Sequence, residues 1–205
     1  MANPGVINAT NYRSFEELIP FSNPLDDSSC TDCKVPKVAR SRHCKYCKQC
    51  IARYDHHCFF VGCIGVGNVL YFLLFIFSIS LHCLITFLLS FSHLRTINHL
   101  TGKVVELSAA SSLPSIQQVF SEKIDLLQLS VRLLKIYSLA FVLFFTLFSI
   151  YFCFHLSLLC NDTTSYELKK YSNKLGKSRR TSKDTSLFKS LYVAWKLQQQ
   201  SRLLS

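Results

Sequence analysis

The stretch RYDHHCFFVGC, residues 53–63, decides how the rest of the sequence is interpreted. It places an Asp, two His and a Cys side by side, and a second Cys follows five positions later. Cys thiolates and His imidazoles are the usual protein ligands of zinc, and a Cys near a His also forms a common nucleophile–base pair. The stretch therefore predicts a zinc site, a reactive thiol, or both together.

The Cys residues are concentrated around this stretch. Seven of the ten lie between Cys30 and Cys63, in CxxC-type pairs mixed with His, a pattern that indicates metal binding rather than disulfides in a cytosolic segment. Iron–sulfur clusters, which Cys alone usually holds, fit the His-containing set less well. Zinc takes four ligands, so two closed sites use eight of the ten candidates and leave two over. Those ten are Cys30, Cys33, His43, Cys44, Cys47, Cys50, His56, His57, Cys58 and Cys63.

Two long stretches carry no Asp, Glu, Lys or Arg, residues 66–91 and residues 136–160. About 20 apolar residues are enough to cross a bilayer. A soluble core helix seldom keeps charge off all its faces for so long, and neither stretch is N-terminal as a signal peptide would be. The sequence predicts transmembrane helices over 69–92 and 136–159.

Lys and Arg are unevenly distributed around these predicted spans. They number eight before the first span, five between the spans and ten after the second. Because cytosolic segments carry the excess of Lys and Arg, both termini are expected in the cytosol and residues 93–135 on the lumenal or extracellular side. His82 and His155 fall within the spans and are assigned no role, since a neutral His bonded to a neighbouring helix is the common case.

The remaining segments complete the predicted domain order. Residues 1–29 are expected to be an irregular cytosolic lead-in, and residues 30–68 a Cys-rich module held together by metal because it has few apolar side chains. Residues 95–113 resemble a polar loop, and the apolar spacing after Pro114 predicts either an amphipathic helix or an extension of the second span. Residues 160–205 form a basic tail with one apolar helical face made of Phe188, Leu191, Tyr192 and Trp195.

The predicted fold class is an α-helical integral membrane protein. It has two transmembrane helices, a cytosolic Cys-rich module with two zinc ions, and a basic cytosolic tail. The basic tail after Asn161 is expected to be either a solvated segment or a segment attracted to anionic lipid at the membrane surface.

The sequence CTDCKVPKVARSRHCKYCKQCIARYDHHCFFVGCIGVGN, residues 30–68, resembles the DHHC protein S-acyltransferases, or palmitoyltransferases. Every Cys and His of the family pattern is present at the family spacing. NPGVI at 3–7 resembles the family's DPG motif, and TSYE at 164–167 resembles its TTxE motif. Phe59 and Phe60 replace the usual Pro-Trp, and Gly62 replaces an Asn. The family usually has four spans, and the resemblance covers the second half of such a chain.

The resemblance implies a role for each of the ten candidate ligands. One zinc would be held by Cys30, Cys33, His43 and Cys50, and the other by Cys44, Cys47, His57 and Cys63. The residues left over are His56 and Cys58, which the family uses with Asp55 as base, nucleophile and orienting acid. Residues i and i+2 of an extended strand face the same side, so His56 and Cys58 can meet.

The implied activity is protein S-palmitoylation. Cys58 would take the acyl group of palmitoyl-CoA as a thioester intermediate and pass it to a Cys of a membrane-associated protein. The expected cofactors are two structural Zn²⁺, and the expected partners are fatty acyl-CoA, protein substrates with cytosolic cysteines and the lipid bilayer, with no nucleic acid. A multi-pass location in the endoplasmic reticulum, the Golgi or the plasma membrane follows. The alternative is an inactive, membrane-tethered zinc scaffold that binds partner proteins, which applies if the enzyme needs two further spans.

Overall fold

The computed structural model describes residues 2–19, 29–110, 114–172 and 187–204 of the chain. The chain divides into two compact units, one formed by Met1–Phe75 with Phe152–Ser205 and the other by Ile76–Tyr151. In chain order the elements are β1 (Val6–Ile7), α1 (Tyr12–Leu18), β2 (Arg42–Cys44), β3 (Gln49–Ile51), β4 (His56–Cys58), β5 (Gly62–Ile64), α2 (Val69–Ala110), α3 (Pro114–Cys160), α4 (Ser165–Ser172) and α5 (Leu187–Leu203).

Two CxxC pairs fold as the same tight turn. The amide of Lys34 donates to the carbonyl of Cys30, and the amide of Lys48 donates to that of Cys44, at 2.8 Å in both cases. Both Lys residues adopt a positive φ, 55° and 56°, which is uncommon for a residue other than Gly. The repeated turn brings the two Sγ atoms of each pair within 4.8 Å of one another.

Two small antiparallel sheets bring the other Cys and His side chains of the module together. The first sheet has the strand order β1-β3-β2, and the second pairs β4 with β5. Their registers set His43 opposite Cys50 and His57 opposite Cys63. Side chains directly opposite each other in such a pair have Cβ atoms about 5 Å apart, so strand pairing alone brings one His and one Cys together at two places.

The N-terminal segment is ordered against the end of the Cys-rich module, which corrects the prediction of an irregular lead-in for residues 2–19. β1 pairs with β3, and α1 buries Phe15 completely. The carbonyl of Pro4 accepts the amide of Gly67 at 3.1 Å. A Cβ on Gly67 would stand 2.3 Å from the carbonyl oxygen of Asn3, so only Gly allows the two backbones this close. β1 has only two residues, which is too short for the alternating apolar pattern by which a strand is predicted from sequence.

Both predicted spans lie within longer helices, α2 and α3. The predicted polar loop is wrong for residues 95–110, because α2 continues through them to Ala110. The hydroxyls of Thr96 and Thr101 bond to carbonyls four residues back, so these polar side chains are satisfied along the helix itself. The polar residues after position 95 show where α2 stops being apolar, but the helix itself continues to Ala110. α3 begins at Pro114 and is continuous with the second span, as one of the two alternatives predicted.

The helices satisfy the length and composition requirements for crossing a membrane, over Val69–Leu107 and Lys123–Cys160. Only 28% and 6% of their most apolar windows are buried within the structure. The core helix of a soluble protein would be mostly covered, so this exposure favours two membrane spans. The mostly helical architecture, the two long apolar helices and the Cys/His clusters confirm the predicted fold class at that level, and the apolar helices suggest a membrane location.

The basic tail contains two helices in its described part, α4 and α5. α5 packs through Ala194, Gln198 and Ser201, and Leu191 of the predicted face packs beside Ala194. Tyr192 and Trp195 are exposed, so only part of the predicted face is packed. Small and polar side chains let α5 come close to the start of α2. There Gln198 Oε1 accepts the amide of Leu70 at 3.1 Å, one of the first helical amides that lack an intrahelical partner. The side chain of Phe188 lies outside the described residues.

Candidate active site and metal centre

Two clusters in the Cys-rich module each contain three Cys and one His. In the first, His43 Nδ1 lies 3.5 Å from Cys30 Sγ and 3.2 Å from Cys33 Sγ, and Cys50 completes the group. In the second, the Nδ1 of His57 lies 3.6, 3.4 and 3.4 Å from the sulfurs of Cys44, Cys47 and Cys63. These are the same two groups of four that the resemblance implies.

The donor set and its spacing fit tetrahedral zinc. Bonds of about 2.3 Å to sulfur and about 2.0–2.1 Å to nitrogen require N···S separations of about 3.5 Å in a tetrahedral site. The separations here run from 3.2 to 3.6 Å. Asp32 Oδ2 lies 3.3 Å from the second nitrogen of His43, as is usual for the outer nitrogen of a metal-bound His. Both clusters therefore fit structural zinc sites.

Asp55, His56 and Cys58 belong to neither Cys₃His cluster. β4 carries both His56 and Cys58, with His57 of the second cluster between them. Alternate residues of a strand face the same side, so His57 faces its cluster while His56 and Cys58 share the opposite face. His56 Nδ1 lies 2.8 Å from Asp55 Oδ2.

Asp55 is held from several directions and is only 6% exposed. Its Oδ1 accepts the backbone amide of Ser165, and its backbone carbonyl accepts the Ser165 hydroxyl at 3.2 Å. Burial by itself raises the pKa of Asp55. The hydrogen bonds from His56 and from the Ser165 amide outweigh burial, so the pKa lies below its ordinary value. Asp55 is therefore a carboxylate at neutral pH.

This carboxylate sets the tautomer of His56. When Nδ1 donates its hydrogen to Asp55, Nε2 is left as the proton acceptor of the ring. His56 Nε2 is buried and has no hydrogen-bond partner within the described ranges. Cys58 is partly exposed, and no described residue hydrogen-bonds to its thiol. A buried acceptor without a partner is costly to keep, which is typical of a group retained for chemistry.

Ser165 is held in place by a capping box at the start of α4. Thr164 Oγ1 accepts the amide of Glu167 at 3.2 Å, and Glu167 Oε2 accepts the amide of Thr164 at 3.1 Å. Glu167 also receives two hydrogen bonds from the Arg40 guanidinium. Burial lowers the pKa of Arg40, but hydrogen bonds and charge from Glu167 and Asp162 outweigh it and raise the pKa above its ordinary value. Arg40 and Glu167 thus tie α4 to the Cys-rich module.

The residue most clearly missed by sequence reasoning is His155 near the end of α3. Its Nδ1 lies 3.5 Å from Asp55 Oδ2, the oxygen that also binds His56. The imidazole centroids of His56 and His155 are 5.4 Å apart, and Phe72 packs edge-on against both rings at 5.1 Å. A signal was available, because a polar residue inside an apolar span is a functional candidate by default. Ser165 had a signal as well, since it lies within TSYE.

Phe59 and Phe60 follow Cys58 directly in the turn between β4 and β5. They are 93% and 76% exposed and pack against each other edge-to-face at 5.6 Å. Two exposed aromatic rings next to Cys58 favour contact with an apolar phase or ligand.

A family model described as DHHC palmitoyltransferase matches residues 24–172. The chain belongs to this family. Its two Cys₃His clusters fit the family's zinc fingers.

Several curated palmitoyltransferases are similar to this chain over its middle part. Palmitoyltransferase ZDHHC4 of Rattus norvegicus is 38% identical over 81 residues, which is 38% of this chain and 24% of that protein. Palmitoyltransferase swf1 of Schizosaccharomyces pombe is 36% identical over 77 residues, 37% of this chain and 22% of that protein. Palmitoyltransferase Hip14 of Drosophila melanogaster is 38% identical over 87 residues, 40% of this chain and 14% of that protein. The matched part thus spans about a quarter of these relatives or less.

Proposed function

We propose that this chain is a protein S-acyltransferase that takes a fatty acyl group from palmitoyl-CoA and transfers it to a Cys of a membrane-associated protein. The observation that carries the proposal is the Asp55–His56 pair at 2.8 Å, placed beside Cys58 and outside both Cys₃His clusters. A scaffold that only bound zinc and partners would not need a buried, oriented imidazole with an unpaired nitrogen. No observation favours the inactive scaffold.

The first half of the reaction acylates Cys58. His56 Nε2 takes the thiol proton, because a thiol reacts with a thioester only as thiolate. The Cys58 sulfur attacks the carbonyl carbon of the acyl-CoA thioester, and the carbon–sulfur bond to CoA breaks. The CoA sulfur leaves with the bond's electron pair and takes the proton back from His56. Asp55 keeps Nδ1 protonated and stabilises the imidazolium that forms between the two transfers.

The second half repeats the same steps with a protein thiol as the attacking group. His56 takes the proton of the substrate Cys, whose sulfur attacks the carbonyl carbon of the thioester on Cys58. The bond to Cys58 breaks, and the Cys58 sulfur is reprotonated by His56. The acyl group ends on the substrate, and the enzyme returns to its starting state.

Zinc is proposed to act structurally in both clusters. When bound, each ion would close one CxxC turn onto one His and one further Cys, which would fix the two small sheets. Since His57 lies between His56 and Cys58, its binding to zinc would fix the backbone of β4. The base and nucleophile are thereby preorganised.

We propose that α2 and α3 cross a membrane, with the Cys-rich module and both termini in the cytosol. The distribution of Lys and Arg supports this orientation. An acyl chain could then remain in the hydrocarbon while its thioester reaches Cys58, and each buried CH₂ contributes about 0.8 kcal/mol. Asn8-Ala9-Thr10 and Asn161-Asp162-Thr163 are glycosylation sequons. Both should remain unmodified in microsomes, and glycan on either would contradict the orientation.

The proposed function is tested by incorporation of labelled palmitate from palmitoyl-CoA into the purified full chain. We expect hydroxylamine-sensitive label on the parent and none on Cys58→Ser, since an alcohol is a far weaker nucleophile at neutral pH. Cys160→Ser is the matched control and should label like the parent. If Cys58→Ser keeps its label and Cys160→Ser loses it, the nucleophile is Cys160 and the assignment is wrong.

A further inference from the structure

The carboxylate of Asp55 has three polar neighbours within the described part of the chain: the Ser165 amide and His56 hydrogen-bond to it, and His155, which has no assigned role, lies at 3.5 Å. Oδ1 accepts the amide of Ser165. Oδ2 faces two imidazoles, with the Nδ1 of His56 at 2.8 Å and the Nδ1 of His155 at 3.5 Å. A carboxylate oxygen has two lone pairs, so both rings can donate to it at once.

His155 is well placed to restrict the movement of Asp55. Its side chain is 6% exposed, and its ring packs edge-on against Phe72 at 5.1 Å and Phe154 at 5.3 Å. These aromatic contacts limit the rotation of the imidazole, so Nδ1 stays directed at the carboxylate. Without this second donor, Oδ2 would be held by His56 alone, the residue it is meant to orient.

We propose that His155 is a positioning residue of the acyl-transfer site. It holds Asp55 Oδ2 from the side of α3, so that the carboxylate keeps His56 in the tautomer that leaves Nε2 as base. The proposal rests on the proposed function for the role of His56, but its geometric content, a second imidazole donor on Asp55, stands independently of any acyl donor.

The test compares two substitutions at position 155 and one control. His155→Phe keeps a ring of similar shape and removes the donor. His155→Asn places an amide N–H close to where Nδ1 lies and restores the donor. His82→Phe is the matched control, because His82 is the other His within the predicted spans and is exposed on α2.

Two rates are measured on each purified full-length variant. The first is hydroxylamine-sensitive acylation by palmitoyl-CoA. The second is alkylation of Cys58 by iodoacetamide at pH 7, followed by mass spectrometry of the Cys58 peptide, which requires no acyl donor. We expect both rates to fall roughly tenfold in His155→Phe, the size typical of lost outer contacts in a preorganised site. His155→Asn should lie within about threefold of the parent, and His82→Phe should match it.

The outcomes separate this inference from the proposed function. If the parent is alkylated faster than His155→Phe but is not acylated, the positioning role stands and the proposed activity is wrong. If His155→Phe reacts like the parent in both assays, the positioning role is wrong while acyl transfer stands. Loss of both rates in the Asn variant as well as the Phe variant would mean a purely structural role for the ring. Asp55, His56 and His155 lie close enough together to hold a metal ion themselves. If the parent bound a third zinc that His155→Phe lacked, His155 would be a metal ligand and the inference would be overturned.

Discussion

Replacing His56 and His57 separately by Ala distinguishes catalysis from metal binding within two adjacent residues. The Nδ1 of His57 lies 3.4–3.6 Å from three sulfurs, whereas that of His56 lies 2.8 Å from a carboxylate. The two side chains occupy one short strand, have the same chemistry and are equally polar. Any difference between the variants must therefore come from the partners of the two rings.

The expected magnitudes differ widely. A structural zinc site contributes an apparent 10–16 kcal/mol at neutral pH, comparable with or larger than the 5–15 kcal/mol that holds a typical domain folded. His57→Ala removes one of four ligands and should leave about one zinc per chain and a disordered β4–β5 hairpin. His56→Ala removes one hydrogen bond to a charged group, about 1.5–3 kcal/mol, and also removes the buried Nε2 that has no partner. These two changes offset each other in part.

Elemental analysis, limited proteolysis and acylation rates are measured on the same preparations. His56→Ala should keep two zincs and the protease resistance of residues 30–63 while acylation slows by about 10²–10⁴-fold, the usual contribution of a general base. His57→Ala should lose zinc and become protease-sensitive. If His56→Ala releases zinc while His57→Ala stays metal-loaded and folded, the two roles have been assigned the wrong way round.

Three further predictions concern the contacts that support the site. Glu167→Gln should destabilise the fold by about 3 kcal/mol, because it leaves the buried Arg40 guanidinium without its main counter-charge. Glu17→Gln, at an exposed side chain of α1, is the control and should cost less than about 1 kcal/mol; denaturant titration compares the two. Gly67→Ala should disrupt folding, because the new Cβ would clash with the backbone of Asn3. Gly102→Ala should raise helix stability by up to about 1 kcal/mol, because no atom lies within 4 Å of the new Cβ. Equal melting temperatures for the two variants would contradict both expectations. The pKa of Asp55 is lower in the folded state than in the unfolded state, where it is about 4. The carboxylate therefore stabilises the fold fully above about pH 4, and this stabilisation is lost as the pH falls through the folded pKa. The difference in free energy of unfolding between the parent and Asp55→Asn should accordingly narrow below about pH 4.

The Cys-rich module and the helical class could be predicted from the sequence because both have local signals. Ligand counting predicts two zinc sites and two residues left over without knowing how the chain folds. The grouping of the eight ligands came from the family resemblance. It could not be obtained by counting, because the structure interleaves the clusters: His43 pairs across strands with Cys50, while the neighbouring Cys44 contributes to the other site.

The parts that were missed depend on contacts between segments distant in the chain. The strand β1 exists only because β3 pairs with it, and the packed face of α5 is decided by Gln198 reaching the first turn of α2. The apolar face of a helix considered alone does not show that Gln198 will be buried against α2 while Trp195 stays exposed. In the same way, His155 is 100 residues from Asp55 in sequence, and no periodicity connects the two.

Asp55 explains why these distant segments must meet. The proposed base His56 is oriented by a carboxylate that contacts His155 at the end of α3 and Ser165 at the start of α4, and neither residue belongs to the Cys-rich module. α4 is in turn fixed to the module through Glu167 and Arg40. The orientation of His56 therefore depends on contacts that run from the module to α4 and back to Asp55. Zinc alone could therefore fold the module without producing a competent base. It follows that a fragment ending before residue 152 should bind two zincs and still fail to activate Cys58, because neither imidazole nor amide from the C-terminal segments would hold the carboxylate.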